Sequence, residues 1–120
     1  MTEKEMLKIA VSALDSKKAQ DIKVIEIGDL TIIADYFVIA AGTSSTQVRA
    51  LAEEVEFQLE KAGALPPVIQ GTHASGWIVL DYKDIIVHVF SREAREFYSL
   101  ERLWADGKKI PVDEFIDKAE

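Results

Sequence analysis

Cysteine is absent from the 120 residues, which removes disulfides, thiolate chemistry and zinc–thiolate sites together. Long apolar runs are absent too: nothing approaches the roughly 20 residues that a membrane-spanning helix requires. The N-terminal Met-Thr-Glu-Lys-Glu-Met lacks a basic region and an apolar signal core, so a cytoplasmic protein with no membrane role is expected. Basic residues are outnumbered, 14 against 21 acidic ones, for a net charge of −7. Proteins that live on phosphate contacts are usually basic over at least one face. Here the only lysine doublets are Lys17–Lys18 and Lys108–Lys109. Direct nucleic-acid binding is therefore disfavoured. An acidic surface suits a basic protein partner better, because opposite potentials speed encounter.

What remains is the composition of an ordinary globular chain, 48% hydrophobic and 29% charged, with room for one domain spanning 1–120 and a real core. The densest information lies between Gly76 and Trp104, which holds both tryptophans. The segment reads as two strands across the Asp81–Asp84 turn, followed at once by a helix. Pairing Leu80 with Ile85 places Trp77, Val79, Ile86, His88 and Phe90 on one face and Ile78, Leu80, Ile85, Val87 and Val89 on the other. Neither face is polar, so either helices cover both faces or one face meets a partner. In the following helix, Phe97, Leu100, Leu103 and Trp104 fall on one arc and should pack on the sheet. Arg95, Tyr98 and Arg102 fall on another and should face outward. An outward tyrosine flanked by arginines is an interface composition; a half-buried tyrosine beside solvated arginines is the alternative.

Elsewhere the chain gives a plainer reading. Thr2 and Glu5 form a capping box that opens a helix to about Lys18. Ile22–Ile27 and Tyr36–Ala41 read as strands, the second a continuous apolar run suited to a central position. Ser44 or Ser45 caps a helix from about Thr46 to Ala62, on which Phe57 points away from the apolar stripe as a candidate for self-association. After Pro66–Pro67, Val68-Ile-Gln begins a short extended segment. Pro111-Val-Asp-Glu-Phe-Ile-Asp-Lys opens a last short helix. The order αββαβββα predicts a mixed α/β sheet with helices on both faces, in which Tyr36–Ala41, the helix after it and the next strand make a βαβ-like crossover.

Signals for catalysis are weak. Gly42-Thr-Ser-Ser between strand and helix could cradle an anion, but it lacks the lysine of a P-loop and the glycines of a dinucleotide fingerprint. A nucleotidyltransferase would need paired carboxylates for magnesium. The nearest are Asp81 and Asp84, three apart on a turn. His73 and His88 make a poor ligand set without cysteine, and His88, mid-strand opposite Trp77, suits a hydrogen-bonded structural role. Ser75 and Ser91 have turn or N-cap explanations, and no nucleophile elbow exists.

Three stretches together carry a resemblance: Asp35-Tyr-Phe-Val-Ile with Gly42-Thr-Ser-Ser-Thr-Gln-Val48; Gly76-Trp77 with Leu80-Asp81 and Asp84-Ile-Ile-Val-His-Val-Phe90; and Arg95-Glu-Phe-Tyr-Ser-Leu-Glu-Arg-Leu-Trp104. Over most of its length the chain resembles the ribosomal silencing factor (RsfS, or Iojap) family. That resemblance implies a nucleotidyltransferase-like topology without a recognised active site, cofactor or metal. It also implies binding to a large-subunit ribosomal protein at the intersubunit face of the large ribosomal subunit. Blocking subunit joining there would repress translation when nutrients are scarce. Members are often homodimers when free. On this expectation Trp77, Leu80, Asp81, Tyr98, Leu100 and Glu101 are partner-binding, with Asp81 and Glu101 meeting basic groups, although the helical arc assigns Leu100 to the core. His88, Phe90, Phe97 and Trp104 hold the surface in shape. The rival expectation is a nucleotide-dependent enzyme using Gly42–Ser45 with Asp81 and Asp84.

Overall fold

Two strands buried on both faces set the architecture. In the computed structural model, which describes residues 1–116, β2 (Tyr36–Gly42) and β5 (Ile85–Ser91) pair in parallel at the centre of a six-stranded mixed sheet. Val38, Ile39, Ala40, Ala41, Val87 and Val89 are fully enclosed there, as strands covered on both sides require. Flanking them are β1 (Gln20–Glu26), β3 (Val68–Thr72) and β4 (Trp77–Asp81), with β6 (Lys108–Ile110) outermost beyond β1. The sheet order is β3-β4-β5-β2-β1-β6, and every other neighbouring pair is antiparallel.

Helices cover both faces, unequally. Helix α1 (Glu3–Ser16) has the expected capping box: Thr2 Oγ1 accepts from Glu5 N–H at 3.1 Å, and the Glu5 carboxylate accepts from Thr2 N–H at 2.7 Å. Ser44 caps α2 (Ser45–Lys61). Met6, Leu7, Ala10, Val11 and Leu14 of α1, with Val48, Leu51, Val55 and Leu59 of α2, pack on Val38, Leu80, Val87 and Val89. Each large apolar side chain enclosed here contributes roughly 1.5–3 kcal/mol. Among the described residues the opposite face is covered by two short helices alone, α3 (Arg92–Tyr98) and α4 (Leu100–Leu103), over Phe37, Ile39, Ile86 and Phe90. The mixed α/β class and the covering of both faces are as the sequence predicts.

Three expectations change. Leu80 pairs with Val87 and Asp81 with Ile86, a register two residues from the one expected. Asp81 Oδ1 accepts from Lys83 N–H at 2.8 Å, Lys83 takes a left-handed φ of 82°, and Tyr82 N–H donates to the Ile85 carbonyl at 2.9 Å, which moves the turn one residue along the chain without changing its width. Because side chains alternate with period two, every hairpin residue keeps its face. Second, the chain leaving α2 does not return beside β2. It forms β3 at the sheet edge and reaches a parallel neighbour of β2 only at β5. Third, β6 was not expected, and the terminal helix contracts to a 3₁₀ turn at Val112–Glu114; Asp117 and Lys118 lie outside the described residues. Among the described residues no helix is long and apolar enough to cross a membrane.

Leu80, fully enclosed between the sheet and the two long helices, cannot be a surface contact. Truncation to Ala should cost roughly 2–5 kcal/mol in denaturant unfolding. At the start of α1, Glu3 faces Asp35, within the influence of Asp84 and Glu26. Hydrogen bonding to Asp35, partial burial and these like charges push its carboxyl up to about 7. A raised folded pKa gives a contribution fully present below about pH 4.5 and lost as pH passes about 7. Glu3→Gln, which mimics the protonated acid, should melt above the parent at pH 8, with the gap closing at pH 5.

Candidate partner-binding surface

On the thinly covered face, β4 and β5 present a run of aromatic rings. Trp77 stacks on Phe90, its cross-strand neighbour, with centroids 5.0 Å apart, and meets Tyr98 of α3 at 4.5 Å. Phe97 stands edge-on to Tyr98 at 5.0 Å. Deeper, His88 meets Phe37 edge-on at 4.6 Å, and Phe37 meets Trp104 at 5.4 Å. Offset and edge-on pairs of this kind add about 0.5–1.5 kcal/mol each beyond burial. The outer end of the run is open, with Tyr98 47% and Phe97 80% exposed. A shallow pocket of about 230 Å³ between Trp77, Val79, Tyr98, Gln70 and Ser75 lies alongside.

His88 is buried in this layer, and Val79, not Trp77, is its cross-strand neighbour. The Trp77 indole N–H donates to its Nδ1 at 3.2 Å. In the neutral ring the proton therefore sits on Nε2, which is buried without a hydrogen-bond partner. Burial lowers the His88 pKa to about 4, because a charged imidazolium loses its hydration there.

Position and orientation of the outer rings come from three local devices. Gly76, at φ 82°, turns the chain into β4 so tightly that a Cβ would lie 2.8 Å from Ser91 Oγ. Ser91 Oγ in turn caps α3, accepting from Ala94 N–H at 3.1 Å. The helix then breaks at Ser99, whose φ of 49° and ψ of 52° are left-handed. That break overturns the single-helix arc. Leu100 stays in the core, where the arc places it, at 9% exposure, but Phe97 and Leu103 turn out. Arg95, expected to face solvent, is buried. Its guanidinium donates to both oxygens of Glu101, at 3.2 and 3.0 Å, and to the Gln20 carbonyl at 3.2 Å.

Of the residues expected to bind a partner, the structure brings together only Trp77 and Tyr98. Leu80 and Leu100 are in the core. Asp81 lies at the far end of β4, and Glu101 is committed to Arg95. Phe97 moves from support to the exposed surface, whereas Phe90 and Trp104 lie within the ring cluster. Val79 joins the pocket unanticipated, although strand alternation had placed it on Trp77's face. The rival nucleotide site does not assemble. Gln47 Oε1 already accepts from Thr43 N–H and from Thr43 Oγ1, and its Nε2 donates to the carbonyls of Lys17 and Lys18. Asp84 neighbours Asp35 at the opposite end of β2, about 20 Å away at the usual rise per residue. Ser75 takes part in a local cap with Thr72.

Fold and surface together define a small mixed-sheet α/β protein with a supported aromatic cluster open to solvent. The family described as ribosomal silencing factor during starvation matches residues 1–120. The chain is 37% identical over 113 residues to the ribosomal silencing factor RsfS of Bacillus subtilis, covering 94% of this chain and 96% of that one. It is 35% identical over 97 residues to the mouse mitochondrial assembly of ribosomal large subunit protein 1, covering 78% of this chain and 42% of that protein. A crystal structure from Chromobacterium violaceum superposes with a TM-score of 0.85 at 33% identity, covering 92% of each chain. The chain belongs to the ribosomal silencing factor family.

The lowered pKa of His88 has a measurable consequence. A depressed histidine leaves stability intact above about pH 6.5 and removes it as pH falls toward 4, because only the unfolded chain takes up the proton. The loss attributable to His88 should reach about 3 kcal/mol. In acid unfolding followed by circular dichroism, His88→Phe should start less stable, having lost the Trp77 acceptor, yet show a shallower decline between pH 6.5 and 4.

Proposed function

We propose that the protein is a non-enzymatic, cytoplasmic silencer of translation that docks through the Trp77–Tyr98–Phe97 surface onto a ribosomal protein of the large subunit. Sitting on the face that meets the small subunit, it blocks joining sterically. One observation carries the reading: the aromatic cluster is at once exposed and rigidly backed, by the Trp77–His88 hydrogen bond and the Arg95–Glu101 clamp. Exposed aromatic anchors on a preorganised base lose little entropy on binding. The net charge of −7 suits a basic ribosomal protein. Family membership supports the silencing role, and the mouse relative is named for assembly of the large ribosomal subunit. When free, the protein pairs as a homodimer, for which Phe57, exposed on α2, is a candidate contact.

The test is sedimentation of purified large subunits with the protein, followed by small subunits. Co-sedimentation with large subunits and loss of the joined particle are expected. Tyr98→Ala should weaken large-subunit binding by roughly 1–3 kcal/mol and leave the melting transition near that of the parent. Leu80→Ala should do the reverse. A folded protein that fails to co-sediment would overturn the proposal.

A further inference from the structure

We infer that the groove between the α2–β3 loop and the β4–β5 turn is a second docking surface, taking a basic partner segment that inserts an apolar side chain. The groove measures about 600 Å³ and lies at the Asp81 end of β4, four residues along the strand from Trp77 and so about 13 Å away. Its walls include Met6, Ile33, Leu65, Val68 and Tyr82. Three of these are largely open to water: Leu65 at 84%, Val68 at 62% and Ile33 at 53% exposed. Large apolar side chains gathered around one concavity mark an interaction site more often than scattered ones do. The Tyr82 hydroxyl is buried without a hydrogen-bond partner.

Charge selects the occupant. Asp81 and Asp84 line the groove with Lys83, and a carboxylate oxygen of Asp84 lies within 4.8 Å of oxygens on Glu3 and Asp35. None of these four carboxylates forms an ion pair among the described residues. The hydrogen bond to Asp35, partial burial and repulsion from the neighbouring carboxylates together hold a proton on Glu3 at pH values where an isolated glutamate has lost it. A lysine or arginine beside an apolar anchor would relieve that repulsion while filling the groove. A second copy of this chain is the poorer occupant, because a two-fold contact would set the same acidic rim against itself.

The test is a methyl and amide NMR titration of the whole protein with a synthetic peptide of alternating leucine and lysine, and with its leucine–glutamate counterpart. The lysine peptide should shift resonances of Ile33, Leu65 and Val68, and the glutamate peptide should not. Leu65→Asp and Asp84→Asn, both changes at exposed positions, should weaken the lysine peptide at least tenfold, and Tyr98→Ala should leave it unchanged. Equal binding of the two peptides, shifts centred on Trp77 and Tyr98, or indifference to Leu65→Asp would overturn the inference. So would sedimentation equilibrium in which Leu65→Asp turns a dimer into a monomer, since a second copy would then fill the groove.

Discussion

A pair of central strands with no polar face is the constraint from which the molecule follows. Neither β2 nor β5 can face water on either side, so two separate apolar layers must form. The long helices α1 and α2 meet one layer fully. Among the described residues, eleven helical ones, in α3 and α4 together, are available for the other. Aromatic rings make up the difference, since each covers a large area at the cost of few rotatable bonds. The exposed aromatic surface is thus the outer edge of a core that two short helices leave uncovered.

Polar chemistry within that layer fixes geometry. The Trp77 indole N–H finds its acceptor in His88 Nδ1, which fixes the two rings against each other while His88 Nε2 stays buried without a partner. The Arg95 guanidinium reaches from α3 to Glu101 on α4 and to the Gln20 carbonyl on β1. Breaking such a clamp by removing one partner leaves a poorly hydrated charge behind. Its more evident contribution is to hold a seven-residue helix whose own backbone bonds would not keep it folded.

Much of this was legible in the sequence because strand periodicity is forgiving. An error of two residues in the hairpin register moved no side chain to the wrong face, so His88 and Phe90 were placed correctly even though their partners were not. Helix periodicity is less forgiving. One left-handed residue, Ser99, exchanged the inside and outside assignments of Arg95, Phe97 and Leu103, and serine in a helical pattern gives no warning of it. Leu80 was misassigned for another reason: resemblance placed it at an interface, while its alternation with Trp77 already put the two on opposite faces. Strand β6 is three residues long, two of them lysine, which is too short for alternation to register. Long-range placement was beyond reach, because nothing local says that Asp84 lies a full strand length from Gly42.

The break at Ser99 bears on any attempt to move this surface onto another scaffold. Trp77 and Tyr98 come from a strand and a helix whose angle is set by Ser91, Ser99 and the Arg95–Glu101 clamp, with Gly76 admitting the close approach between them. A graft that copied the two rings onto a continuous helix would carry Phe97 inward and Arg95 outward, reproducing the composition of the patch but not its shape. The smallest transferable unit is the whole span from Gly76 to Trp104, together with the β1 bulge that supplies the Gln20 carbonyl.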